Sequence, residues 1–203
     1  MKSIHLKTKR LLLTPMTEAE LSEKARAETD PHMRKAYEEM RAGVKSAPEQ
    51  AIWYTEWRAS LPDTGESIGG AGFKGPPEGG EVEIGYGIDA PHRGKGYARE
   101  AVNALCEWAF GKGAYYIIAE AEEDNLASQA VLKACGFRRG GMGVEGVRWE
   151  KEKPGTSWMA TGMCLGVAMG CGLGVAFDGG RGMSLGMCFG LAIGMATGAA
   201  LDA

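Results

Sequence analysis

The stretch HRGKGYARE, residues 92–100, sets Gly94 and Gly96 among the cations Arg93, Lys95 and Arg99 where a strand-like run gives way to a helix-like one. Glycine lets a backbone come close to a ligand, and the first turn of a helix carries N–H groups with no helical acceptor. The helix dipole, together with Arg93 and Lys95, favours negative charge there, so a phosphate or pyrophosphate suits the loop. A plain tight strand-to-helix turn would use the same residues. A P-loop needs Lys-Ser/Thr after its last glycine, but Tyr97 follows Gly96. A dinucleotide fold needs a third glycine where Arg99 stands, and it needs βαβ repeats where meandering strands come first.

A second group of residues lies just upstream, on EVEIGYGID. A period of two puts Val82, Ile84, Tyr86 and Ile88 on one face of that strand, and Glu83, Gly85, Gly87 and Asp89 on the other. Two glycines on one face leave room for something to lie against the strand, although a bulge or close helix packing would also use them. Glu83 shares that glycine-lined face.

These residues need a scaffold, and the hydrophobic pattern supplies one. KSIHLKTKRLLLTPM reads as a strand closing at Pro15, TEAELSEKARAE as a polar helix, and residues 31–46 as a second helix. AIWYTEWRAS, ESIGGAGFKG and EVEIGYGID read as three antiparallel strands separated by Pro/Gly turns. From Tyr97, apolar residues recur at helical spacing through Phe110. YYIIAEAE, residues 115–122, follows as a strand, and Asn125 can cap the helix LASQAVLKACG. Two short strands around RRGGMG and GVRWEKE close the domain.

The 203 residues, 44% hydrophobic and 24% charged, suffice for one domain with a core and a smaller appendage. A net charge of −3, with no basic patch interleaved by aromatics, excludes nucleic acid as an expected partner. Five cysteines without a C-x-x-C pair read as reduced thiols, and His5, His32 and His92 have no metal-ligand spacing, so no metal is expected. The N-terminal MKSIHLKTKR lacks a signal peptide's apolar run, which points to a cytoplasmic protein.

KTKRLLLTPMT, EIGYGIDAPHRGKGYAREAV and AEAEEDNLASQAVLKACGF together closely resemble the GNAT acetyltransferase superfamily, especially its Rim-type branch of ribosomal-protein N-terminal acetyltransferases. Arg93-x-x-Gly96-x-Ala98 matches the pyrophosphate motif of that superfamily, and Asn125 with Ser128 matches its N-x-x-S element. The resemblance covers residues 1 to about 150 and implies an α+β (mixed α/β) fold, a central, mostly antiparallel twisted sheet flanked by helices. It implies acetyl-CoA as co-substrate, held by Ile88, Asp89, Arg93, Gly94, Lys95, Gly96, Tyr97, Ala98, Asn125 and Ser128. The expected reaction is direct attack on the thioester by an amine, borne by a protein N-terminus or a small molecule.

A carboxylate within reach of that amine can take its proton, directly or through water. Glu83 is the first candidate; Glu120 and Glu122 are alternatives, and an exposed edge glutamate is the plainer reading. Many members of the superfamily carry a tyrosine acid where this chain has Leu132, and the Rim-type resemblance implies Ser128 as its substitute. Ser128 and Asn125 also suit plain helix-terminus roles. Leu132 keeps open a competing class, a non-catalytic acyl-CoA-binding or scaffold protein with the same fold. Arg34, Trp53, Trp57, Glu145, Arg148 and Trp149 are candidates for an acceptor pocket, without assigned roles.

Composition shifts near KEKPGT, so the domains are expected at 1–156 and 157–203. Glycines at 162, 166, 170 and 174, then at 182, 186, 190, 194 and 198, recur every four residues, and they predict an apolar helical hairpin with a glycine stripe. Such a hairpin has to bury its apolar surface, through membrane or homo-oligomer contact involving residues 158–201, or by docking on the domain in water.

Overall fold

The computed structural model describes residues 4–155 and residues 192–193. The chain divides into two compact units, Met1–Lys153 and Pro154–Ala203. The expected glycine-striped hairpin, with its membrane and homo-oligomer contacts, lies outside the described residues except at Ala192 and Ile193. No helix among the described residues is long and apolar enough to cross a membrane.

The first unit opens with strands β1 (Leu6–Lys7) and β2 (Leu12–Pro15), then helices α1 (Glu18–Ala27) and α2 (Pro31–Ser46). A helical turn, α3 (Ala51–Tyr54), leads into β3 (Glu56–Ser60), β4 (Ser67–Phe73) and β5 (Glu81–Ile88). Helix α4 (Tyr97–Gly111), β6 (Tyr116–Ala121), α5 (Leu126–Ala134), β7 (Arg138–Met142) and β8 (Val147–Glu152) complete it. The eight strands form one sheet in the order β1-β2-β3-β4-β5-β6-β8-β7, and every pairing is antiparallel except β5 with β6. This is the mixed α/β, mostly antiparallel architecture expected from the sequence.

The exception in the sheet positions the site. The parallel register runs only from Glu81↔Tyr116 to Glu83↔Ile118, while β5 continues to Ile88 paired with β4. The two strands therefore part after Glu83, opening a wedge in the middle of the sheet. Helix α4 packs on β4 and β5, so Val82 and Ile84 share one buried cluster with Val102, Leu105, Cys106 and Ala109. A smaller cluster of Met16, Leu21, Ala25 and Tyr37 forms with α1 and α2. A capping box starts α1, with Thr17 and Glu20 bonding reciprocally.

Two elements depart from the sequence reading. KSIHLKTKRLLLTPM is not one strand but two, β1 folding back on β2 through a turn in which Thr8 N–H donates to Leu11 O at 2.9 Å. AIWY is a helical turn rather than the start of a strand. It tucks Trp53 against Phe73 and Trp108, with ring centroids at 5.1 and 4.5 Å, and Trp57 Nε1–H donates to Ile52 O at 3.2 Å. Aromatic packing of this kind adds about 0.5–1.5 kcal/mol per pair beyond area burial, enough to override the local strand preference of four residues.

Burial pushes the Cys106 thiol up to about 12 and raises that of Cys135. Both stay protonated near neutral pH and, being buried, lack the thiolate that alkylating reagents attack. Peptide mapping after iodoacetamide treatment should find both unmodified in the native protein and modified once it is unfolded.

Candidate functional site

Gly94 and Gly96, at φ 75° and 81°, turn the chain from β5 into α4, and Gly96 is the residue that caps the helix. Left-handed backbone of this kind is open to glycine at no steric cost. The first amide of the helix to find an acceptor is Glu100 N–H, on Gly96 O at 3.2 Å; those of Gly94 through Arg99 donate to no acceptor among the described residues. Six successive donors are thus available to a ligand. Arg93 turns its Nε back onto Ile88 O at 2.7 Å, tying the loop to the end of β5.

The N-terminal hairpin fixes the other side of the loop. Arg10 donates from Nη1 to Lys95 O at 2.9 Å, pairs through Nε with Glu100 Oε2 at 2.7 Å, and lies over the Tyr97 ring at 4.7 Å. Thr8 Oγ1 and the Arg10 backbone N–H both donate to Glu100 Oε1, at 2.6 and 2.7 Å. Burial works to raise the Glu100 carboxyl, but these hydrogen bonds and the Arg10 charge outweigh it and hold the group below its ordinary value. Sequence reading did not assign Arg10 a part in this site, because its partners lie 85 to 90 residues away.

A cleft of about 510 Å³ opens beside the loop, lined by β5, the loop itself, the first turn of α4, and α5. Of the expected binding residues it brings together Ile88, Arg93, Gly94, Gly96, Tyr97, Ala98, Asn125 and Ser128. Asp89 and Lys95 are not in its lining; Asp89 uses its N–H on Ile68 O at 3.0 Å, and the Lys95 carbonyl accepts from Arg10. On β5 the expected alternation is present: Val82 and Ile84 are buried, while Gly85, Gly87 and Asp89 are exposed. A Cβ added at Gly85 or Gly87 would meet nothing within 4 Å.

Asn125 caps α5, its Oδ1 accepting from Ser128 N–H at 3.0 Å. The Ser128 hydroxyl lies 2.8 Å from Tyr86 Oη, and the phenol is also 3.0 Å from the Ser128 carbonyl. Burial pushes the phenol above its ordinary value, against the lowering effect of the Ser128 bond. Tyr86, which shares a face of β5 with the buried Val82 and Ile84, thus reaches the cleft with its polar tip. A tyrosine among aliphatics at an inward position was the available signal. Leu132 is fully buried.

Glu83 lies elsewhere. It lines a second depression of about 270 Å³ with Lys74, Glu78, Glu81, Glu120 and Arg148, and Lys74 Nζ holds its Oε1 at 2.6 Å. Lys74 also reaches Glu145 at 3.0 Å, and Glu120 Oε2 accepts from Glu145 N–H at 2.6 Å. Glu122 is exposed. Among the candidate acceptor-pocket residues, Trp53, Trp57 and Trp149 are core side chains, and Arg34 bonds the Glu28 carbonyl. Among the described residues no group of three or more His, Cys, Asp or Glu could hold a metal ion.

Residues 10–138 match the family described as the acetyltransferase (GNAT) domain. The chain belongs to the GNAT acetyltransferase family. Within this family it is similar to the uncharacterized N-acetyltransferase YjdG of Bacillus subtilis strain 168, 41% identical over 86 residues that make up 41% of this chain and 51% of YjdG. The chain spans about half the length of the curated relatives it matches. Among solved structures, the ribosomal-protein-S5-alanine acetyltransferase of Vibrio fischeri superposes with a TM-score of 0.59 at 16% identity, covering 74% of this chain and 100% of that one. RimJ of Mycobacterium smegmatis, solved in complex with a coenzyme A disulfide, superposes with a TM-score of 0.55 at 18% identity, over 74% of this chain and 86% of that one. Likeness at such identities shows the fold, and Rim-type GNAT domains share it.

Proposed function

We propose that the GNAT domain of this chain is an acetyl-CoA-dependent N-acetyltransferase acting on a primary amine of a protein N-terminus or a small molecule. The observation that carries this reading is the row of unpartnered amides from Gly94 to Arg99, all but Lys95 belonging to residues that line a cleft beside the bare Gly87 surface of β5. Free N–H groups at a helix start suit a diphosphate, and a glycine-lined strand that has parted from its neighbour leaves room and backbone groups for an amide-bearing arm.

Bound there, acetyl-CoA would supply an activated acetyl thioester. The backbone of residues 93–98 would bind and orient the diphosphate, with Asn125 and Ser128 at the far wall of the cleft. Glu83 is the proposed proton acceptor: it is the last residue of β5 paired with β6, at the point of the strand where the wedge begins. Lys74 holds it now, so an incoming ammonium would take over the Lys74 position. Ser128 is the proposed proton donor to the departing sulfur. Residues 1–156 form the proposed acetyltransferase domain, and 157–203 a separate glycine-rich segment.

The test is calorimetric titration of the full chain with coenzyme A, followed by a screen of amines and N-terminal peptides for acceptor-dependent release of free thiol. Binding with turnover of an amine is the expected result. Tight binding without turnover across the screen would favour a non-catalytic acyl-CoA-binding protein, and absence of binding would remove the cofactor reading.

A further inference from the structure

The chain has a fully buried leucine at position 132, so no phenol reaches the cleft from that point of α5. A phenol reaches it from the strand instead. Tyr86 stands on β5 three residues after Glu83, and its Oη makes two contacts to one residue of α5, the Ser128 hydroxyl at 2.8 Å and the Ser128 carbonyl at 3.0 Å. Both Tyr86 and Ser128 line the cleft.

The proton count decides what this pair can do. Tyr86 has one proton to donate and Ser128 Oγ has another. When the phenol donates to Oγ, the serine proton is free to turn into the cleft, and Oγ is made more acidic by the bond it receives. When the serine donates to the phenol, the phenol donates its own proton to the Ser128 carbonyl, so the serine proton is spent inside the pair and none faces the cleft. A serine hydroxyl alone is a poor acid at neutral pH, whereas a phenol ionises near 10. A serine backed by a phenol therefore delivers a proton that ultimately comes from the phenol.

Resting on the proposed acetyl-CoA reaction, we infer that Tyr86 is a positioning and relay residue that supplies, through Ser128 Oγ, the proton taken up by the departing thiolate. As the acceptor nitrogen–carbon bond forms and the carbon–sulfur bond breaks, the Oγ–H proton passes to sulfur and the Oη–H proton passes to Oγ. Coenzyme A leaves as the thiol, Ser128 is unchanged, and Tyr86 is left as tyrosinate. That phenolate regains a proton from water, balancing one of the two protons that the acceptor nitrogen loses between ammonium and amide; the other is released to solvent. Burial of Tyr86, which favours the protonated phenol, drives this return.

The test uses the full chain and variants Tyr86→Phe, Ser128→Ala and the double change, with calorimetry of coenzyme A and ultraviolet titration of the thiolate of bound coenzyme A against pH. Tyr86→Phe keeps the ring and its packing, so the dissociation constant should stay within about threefold of the unchanged chain. The bound thiol should titrate higher by about half a unit, a threefold change in its ionisation constant, because Oγ becomes a weaker donor to sulfur. In the Ser128→Ala background the same Tyr86→Phe change should produce no further shift, the signature of a residue acting through another. With an amine that turns over, Tyr86→Phe should lower kcat about tenfold and leave KM for acetyl-CoA within twofold. Coenzyme A binding with an unmoved thiol titration, or a Tyr86 effect that persists without Ser128, overturns the relay and leaves the cofactor site standing. No coenzyme A binding to the unchanged chain overturns both.

Discussion

Valine in place of Gly87 is expected to raise the dissociation constant for coenzyme A at least a hundredfold without lowering the melting temperature. The strand tolerates the side chain: Gly87 is exposed, sits in β5 paired with Gly70, and a Cβ there meets nothing within 4 Å. β-Branched residues suit strands, and replacing glycine reduces the freedom of the unfolded chain by about 0.4–1 kcal/mol, so stability should hold or rise. The bound ligand has no such tolerance. Three added carbons would occupy the surface that the proposed cofactor arm lies against, and a hundredfold loss corresponds to about 2.7 kcal/mol. Calorimetry and thermal unfolding on the same sample separate the two effects. An unchanged dissociation constant would mean that the ligand does not lie along this face of β5.

The second large effect concerns the fold. Trp57→Ala should cost about 3–5 kcal/mol of stability, which in a chain of this size lowers the melting temperature by about 10 °C. Trp57 is fully buried and meets Trp108 edge-on at 5.2 Å, while Trp108 stacks with Phe73 at 5.9 Å. The cluster joins α3, β3, β4 and α4, and the indole N–H also closes the α3 turn on Ile52 O. Truncation would leave a cavity bounded by rigid rings, and Thr55, whose hydroxyl bonds Met16 O at 2.7 Å in the buried layer, would lose its neighbour's support. Circular dichroism during heating measures it. A loss below about 1 kcal/mol would show that the surrounding rings can collapse into the space.

Much of the site was legible because its signals are local. RGKGYA joins a strand to a helix within six residues, and the positive φ of Gly94 and Gly96 is what glycine at those places implies. The alternation on β5 is a period-two pattern, readable without any partner strand. Asn125 and Ser128 lie three residues apart and cap one helix turn. The placing of Glu83 and Ser128 in different depressions was not legible, since it depends on how the strands and α5 come together in the folded domain.

By itself the sequence determined the identity and order of nearly all the elements, the mixed α/β class, the glycine-lined face of β5 and the glycine turn of residues 93–98 that leads into α4. Each follows from hydrophobic periodicity, turn chemistry or capping within about ten residues of chain. Only the tertiary structure decided that AIWY coils, where packing of Trp53 against Phe73 and Trp108 outweighs local preference. It alone folded the first strand into a hairpin that carries Arg10 to Lys95 and Glu100, and it alone brought the Tyr86 phenol to Ser128. Those pairings join residues 42 to 90 positions apart. No local propensity encodes them, because the free energy that selects them appears only when the sheet has formed and α4 and α5 have packed against it.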